Sequence, residues 1–152
     1  MKVLLVDDHP VVRSGYMRLL DQAGDIDVIA DVDDAEAGYA AHLALAPDVT
    51  VTDLAMPGGG YGLNLIARVR ARRPQCRAIV FSMYESEPLV RQAMKAGASG
   101  YLSKRSAPNM LVQAVRAVHS GLQAVSPEHK LTAEDAMAGR DAAKVAALSP
   151  RE

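Results

Sequence analysis

The strongest constraint on this chain is an alternation repeated five times: a short apolar run, then a longer segment with helical periodicity. The runs cover residues 2–6, 28–32, 48–52, 78–82 and 99–103, and all are strand-length and rich in Val, Ile, Leu or aromatic residues. Runs that are apolar without alternation suit strands buried on both faces. Between them, Val12, Tyr16, Leu19 and Ala23 fall on one helical stripe, with Gly24 where a C-terminal cap belongs. Ala40, Leu43 and Ala44 mark a second stripe, ended by Pro47; Leu65, Ile66 and Val69 mark a third, ended before Pro74. Leu89, Ala93 and Met94 mark a fourth with Gly97 behind it, and Leu111, Ala114, Val115 and Val118 mark a fifth between Pro108 and Gly121.

Five β-α units in residues 1–121 imply a parallel sheet covered by helices on both faces. Five units are too few for an eight-fold barrel, so the expected fold is α/β: an open, doubly wound, five-stranded parallel sheet. Ligands of such sheets bind beyond the carboxyl ends of the strands, at the switch point.

Polar residues gather at those ends. Asp7 and Asp8 follow the first run and Asp53 the third; Ser82 ends the fourth, and Lys104 follows the fifth. Carboxylates ~4 Å apart repel by ~4 kcal/mol at an effective dielectric near 20, so several stay ionised together only beside a cation. Hard oxygen donors suit Mg²⁺. A carboxylate beside Mg²⁺ is also a competent nucleophile, forming an aspartyl phosphate, while Lys104 and Ser82 supply further neutralisation of the phosphoryl oxygens. Taken singly, Asp7 or Asp8 is equally well a helix cap before Pro10, and Asp53 a turn residue. The combination on successive strand ends is what points to phosphoryl chemistry.

Composition bounds the setting. The 152 residues are 49% hydrophobic with a formal net charge of -1, which argues against disorder and leaves no basic footprint for nucleic acid. A single cysteine, Cys76, and the lack of a leader-like or spanning apolar run make a cytoplasmic, membrane-free protein the expectation. Residues 122–147 change character to Ala and charged residues and read as a linker, with a short helix candidate from Ser126 to about Ala138. In residues 148–152, Ser149 and Glu152 have capping-box spacing around Pro150, a signature that opens a helix.

These segments closely resemble one family. Val6-Asp7-Asp8-His9-Pro10, Asp53-Leu54-Ala55-Met56-Pro57-Gly58, Ala96-Gly97-Ala98-Ser99-Gly100-Tyr101-Leu102 and Ser103-Lys104 resemble the receiver domains of two-component response regulators. Asp-Asp-His-Pro, and the lack of proline after Lys104, look like the NarL/FixJ subfamily. The resemblance implies the flavodoxin-like receiver fold with sheet order 2-1-3-4-5, and Asp53 as acceptor of a phosphoryl group from a sensor histidine kinase. It implies Mg²⁺ held by Asp8, Asp53 and the backbone carbonyl of Ala55, with Asp7 acting through water. Lys104 would contact the phosphoryl group, Ser82 would be the switch hydroxyl and Tyr101 the aromatic that moves with it.

The resemblance further implies a homodimer on phosphorylation and DNA contact only through a separate effector. Residues 148–152 resemble the first residues of a truncated LuxR-type helix-turn-helix domain. On this reading the chain is a signalling switch rather than an enzyme, its chemistry limited to its own phosphorylation and dephosphorylation. Two alternatives stay open: a phosphorylation-independent receiver serving as an interaction module, and an aspartyl-phosphate phosphatase or phosphotransferase. The latter usually carries a second Asp two residues after the nucleophile, where this chain has Ala55. One departure from the family pattern is the stretch Gly58-Gly59-Gly60-Tyr61-Gly62, one residue longer than usual and next to Asp53.

Overall fold

The structure, a computed structural model, describes residues 1–54, 62–125 and, for the backbone, 144–147. The order along the chain is β1 (Lys2–Val6), α1 (Pro10–Asp21), β2 (Asp27–Val32), α2 (Ala35–Leu45), β3 (Val49–Thr52) and α3 (Gly62–Arg72). Then follow β4 (Arg77–Ser82), α4 (Glu87–Ala96), β5 (Gly100–Ser103), α5 (Asn109–His119), β6 (Leu122–Val125) and β7 (Lys144–Ala147). All pairings are parallel, and the sheet runs β2-β1-β3-β4-β5-β6-β7. The expected order 2-1-3-4-5 is therefore present. The expectation of five strands is corrected, because β6 and β7 extend the sheet from within the stretch read as a linker. The cause is the edge of β5, whose backbone groups would otherwise be unpaired. Ala124 N–H donates to the Ser99 carbonyl at 3.0 Å, and Gly100 and Tyr101 pair with Ala124 and Val125. Gly100 makes this approach possible, since a Cβ there would stand 2.6 Å from the Ala124 carbonyl oxygen. The helix candidate from Ser126 and the capping-box residues 148–152 lie outside the described residues.

Local chemistry sets the helix ends. Asp34 caps α2 by accepting from Ala37 N–H at 2.7 Å, and Gly97 ends α4 in the left-handed region at φ 114°. The sheet then buries both faces. Val3, Leu5, Val51, Ile79 and Phe81 meet Leu20 of α1 and Met110, Leu111 and Val115 of α5. On the other face Leu4 and Val6 pack with Leu65 and Val69 of α3, while Val80 and Tyr101 pack with Ile66 of α3 and Val90 and Met94 of α4. Each such side chain, removed from water, contributes about 1.5–3 kcal/mol.

The stripes expected for α3 and α5 face the core as read. That for α2 is turned, and that for α1 is met by Tyr16 and Ala23, which pack against the core, but not by Val12. On α1 the buried residue is Leu20, with Tyr16 and Met17 packed beside it, while Val11 is 85% exposed and Val12 is also exposed. On α2 the buried residues are Ala35, Gly38 and His42, leaving Leu43 outside. The segment Ala35–Leu45 is apolar nearly all round, so periodicity carries no direction there. Gly38 is selected by space: a Cβ would lie 3.1 Å from the Val6 side chain.

Candidate functional site

Three of the polar residues singled out at strand ends are fixed by extensions of the sheet ladder. Asp7 N–H donates to the Val32 carbonyl (3.0 Å), Asp53 N–H to the Val6 carbonyl (2.9 Å) and Lys104 N–H to the Ser82 carbonyl (2.8 Å). The Cα positions of these three are thus set by parallel pairing, and their side chains project from one edge of the sheet. Asp7 and Asp53 follow β1 and β3, neighbours in the sheet from which the chain winds outward in opposite directions. That is the switch point.

Behind Asp53, Gly62 N–H donates to the Leu54 carbonyl at 2.8 Å. A Cβ on Gly62 would collide with the backbone carbonyl of Asp53, so this position admits only glycine without moving α3 or the acceptor strand. The rest of the glycine-rich stretch, and Ala55, lie outside the described residues.

The side chains converge. Lys104 Nζ donates to Asp7 Oδ2 at 2.7 Å and to Asp53 Oδ2 at 3.1 Å, and all three side chains are buried to within a few per cent. Leu54 N–H donates to Asp53 Oδ1 at 2.7 Å. Burial pushes the Asp53 carboxyl up from its ordinary value; the Lys104 ammonium pulls the other way, and the Asp7 charge adds to the rise. Burial alone would lower Lys104, but the hydrogen bond to Asp7 and the charges of Asp53 and Asp7 outweigh it, and its pKa is raised. The result is an ammonium held between Asp7 and a buried Asp53 whose carboxyl is pushed up.

Asp8 stands beside them with its Oδ1 buried and without a hydrogen-bond partner. An orphaned, buried carboxylate oxygen next to two further carboxylates is the donor set of a hard divalent cation. Single ligand atoms from Asp7, Asp8, His9 and Asp53 all lie within 4.8 Å of one another. Asp7, Asp8, Asp53 and Lys104 are therefore brought together as the sequence implied. His9, which the sequence reading does not place in the site, joins them; its signal is adjacency to Asp7-Asp8.

Ser82 and Tyr101 form a second arrangement, joined through the loop after β4. Ser82 Oγ accepts from Tyr84 N–H at 3.0 Å, and the Tyr101 hydroxyl donates to the Tyr84 carbonyl at 2.6 Å. Both side chains are fully buried. Burial pushes the Tyr101 phenol up to about 12, its interaction with Ser82 working the other way, so it remains a donor throughout the physiological range. The Tyr84 peptide groups are thus held by both residues expected to act as a pair.

The family model described as the response regulator receiver domain matches residues 3–116. Among curated proteins, the chain is 35% identical over 121 residues to the oxygen regulatory protein NreC of Staphylococcus epidermidis, covering 80% of this chain and 56% of that protein. It is 35% identical over 128 residues to the response regulator GacA of Pseudomonas aeruginosa, covering 84% and 59%. The chain thus spans a little over half the length of these curated relatives. Among solved structures, a two-component response regulator of the LuxR family from Aurantimonas sp. SI85-9A1 superposes with a TM-score of 0.80 at 38% identity, covering 84% of this chain and 90% of the other. The signal receiver domain of the putative response regulator NarL from Mycobacterium tuberculosis superposes at 0.75 with 34% identity, covering 79% and 96%.

Proposed function

The chain belongs to the response regulator receiver domain family, and from that premise we propose that it is a phosphorylation-driven switch with Asp53 as phosphoacceptor. The observation that carries the reading is the Asp7–Lys104–Asp53 bridge with the orphaned Asp8 oxygen beside it. The phosphodonor is a sensor histidine kinase. An Asp53 carboxylate oxygen attacks phosphorus, the phosphohistidine P–N bond breaks, and its electron pair stays on the imidazole nitrogen, which takes up a proton. Asp8 and Asp53 would hold Mg²⁺, with the Ala55 carbonyl and Asp7, through water, completing the set. Bound there, the ion neutralises charge on the phosphoryl oxygens. Lys104 holds the transferred group electrostatically, exchanging a carboxylate for a phosphoryl oxygen.

Incubation with acetyl phosphate and Mg²⁺ followed by intact-mass measurement tests this. One added phosphoryl mass that chelation prevents is the expected outcome; an unchanged mass would favour the phosphorylation-independent interaction module. No substrate other than its own phosphodonor is expected, so the chain is a signalling component, not an enzyme. The setting is cytoplasmic. Among the described residues no helix is long and apolar enough to cross a membrane.

The output is a homodimer and, through it, an effector that binds DNA. RcsB of Salmonella enterica serovar Typhimurium, 30% identical over the 80% of this chain that superposes, was solved bound to promoter rprA with the phosphomimetic BeF3-, which supports carrying the DNA-binding effector over to the longer protein. Residues 148–152 would begin that effector. The dimer face favoured is the groove between α1 and the start of α5, because Val11, Val12 and Leu19 line it with Pro108.

Ser82 and Tyr101 carry the signal. A Ser82 hydroxyl bonded to a charged phosphoryl oxygen gains about 1.5–3 kcal/mol, enough to shift a two-state loop by one to two decades. Turning toward the phosphoryl group would displace the Oγ that accepts Tyr84 N–H and so loosen the loop that Tyr101 also grips. Ser82→Ala should accept phosphate from acetyl phosphate at near wild-type extent, yet lose most phosphorylation-dependent self-association in sedimentation. Equal association of the two phosphorylated proteins would place the switch elsewhere.

A further inference from the structure

We propose that Arg13 is a positioning residue for the acidic site: anchored on Asp31, its guanidinium holds the Asp7 carbonyl and so sets where Asp8 stands to receive a divalent cation. The inference rests on the acidic-site reading above, leaves its oxygen donors unchanged and adds a residue that acts through Asp8.

Arg13 lies near the start of α1, and its side chain is only 16% exposed. Its Nη1 donates to the Asp7 carbonyl at 2.6 Å, and its Nε donates to Asp31 Oδ2 at 2.8 Å. A guanidinium presents its N–H groups in one rigid, planar fork, so two acceptors held at once fix both its position and its plane. Asp31 belongs to β2, where it is paired with Leu5 of β1. The fork is therefore referenced to the sheet and not to α1 alone.

The fork acts where the sheet stops guiding the chain. Strand β1 ends at Val6, and the bond from Asp7 N–H to the Val32 carbonyl carries the ladder one residue further. The Asp7 carbonyl belongs to the next peptide unit. Because that unit is planar, holding its oxygen also places the Asp8 nitrogen and Cα. Asp8 is the residue whose buried Oδ1 has no hydrogen-bond partner. Its side chain thus starts from an atom that Arg13 places, in the way that outer partners orient the ligands of a metal.

Position and charge pull in opposite directions here. A guanidinium near a cation site repels the cation, so by charge alone Arg13 weakens binding. Asp31, an acid bonded to Nε, offsets that charge locally. The sign of the change on removing Arg13 therefore distinguishes a positioning role from an electrostatic one.

The test is calorimetric titration of Mg²⁺ into the full 152-residue chain, with melting of the metal-free protein measured alongside. Arg13→Gln should weaken Mg²⁺ binding by at least the ~10-fold that outer-shell partners of a metal are worth. Loss of a repelling charge alone would tighten it, and loss of a merely structural tether would lower the metal-free melting temperature with Mg²⁺ affinity unchanged. Asp31→Asn should also weaken Mg²⁺ binding, and more at low salt than at high salt, because it uncovers the Arg13 charge. Unchanged or tighter binding in folded Arg13→Gln overturns the proposal and leaves the acidic site standing. Should Arg13→Gln fail to fold, Arg13→Lys decides, since it keeps the charge without the rigid fork. Affinity equal to wild type would then overturn the proposal, and a several-fold loss would support it. Asp8→Asn separates the two levels: if Mg²⁺ does not bind wild type, or binds Asp8→Asn equally well, the acidic-site reading itself fails and the proposal with it.

Discussion

Asp53→Asn should abolish phosphoryl incorporation from acetyl phosphate while leaving the protein folded and more heat-stable than wild type. The chemical half follows from the nucleophile: a carboxamide oxygen is uncharged and far weaker than a carboxylate, and no other carboxylate occupies the end of β3. The stability half follows from the raised Asp53 pKa, caused first by burial and then increased by Asp7. A group whose folded pKa is raised contributes stability below its unfolded value and loses it as pH rises through the folded value. At neutral pH the Asp53 charge is therefore a liability, and Asn removes it. Lys104 keeps Asp7 at 2.7 Å, so the ammonium is not stranded. Melting temperature should rise by roughly 2–4 °C for each kcal/mol relieved. The gain should be largest at neutral pH and vanish as the medium approaches about pH 4, where a free carboxyl protonates. Labelling that survives in Asp53→Asn would remove Asp53 from the centre of the mechanism. Loss of labelling with a collapsed melting temperature would leave the chemical role unproven and contradict the electrostatic argument.

Lys104→Met should have the opposite sign and the larger cost. Methionine fills most of the space of the lysine stem but leaves Asp7 and Asp53 facing each other, both nearly inaccessible to solvent. Removing one partner of a buried ion pair typically costs 3–5 kcal/mol, because the remaining charge is uncompensated. Here two carboxylates remain, so a loss of about 3 kcal/mol and a fall of roughly 10 °C in melting temperature are expected at neutral pH. The loss should grow with pH from about 4 to 7, because without Lys104 the Asp53 carboxyl is pushed further up and the penalty of ionising it falls on the folded state. Added Mg²⁺ should recover part of the loss by supplying the missing positive charge. Melting curves across that pH range decide the matter. A deficit independent of pH and of Mg²⁺ would trace the effect to packing of the side-chain stem instead of its ammonium.

Both predictions concern residues that could be picked out before any coordinates were known, and the reason is geometric. In a parallel sheet covered on both faces, strands are apolar runs and their carboxyl ends are where polarity returns, so Asp7, Asp8, Asp53, Ser82 and Lys104 announce themselves by position. The family motifs add that the carboxylates act with a lysine. The helices with charged outer faces were equally legible: Leu65, Ile66 and Val69 of α3, and Leu111, Ala114, Val115 and Val118 of α5, all face the core.

Other features were decided by the tertiary structure alone. Helix α2 is apolar nearly all round, so its buried side could not be read from periodicity; it was chosen by where Gly38 lets the helix approach Val6. On α1 the exposed Val11 and Val12 weakened the same signal, because an apolar surface groove looks like a core face in one dimension. The strands β6 and β7 owe their existence to an open sheet edge, a property of the assembled sheet and of no single segment. The ring of His9 is a final instance. Its identity and its neighbours are plain in the sequence, but only the fold shows one nitrogen within 3.2 Å of two different carboxylates. Adjacency along the chain permits many side-chain directions, and the extended N-cap backbone of α1 selects the one that returns the ring to the site.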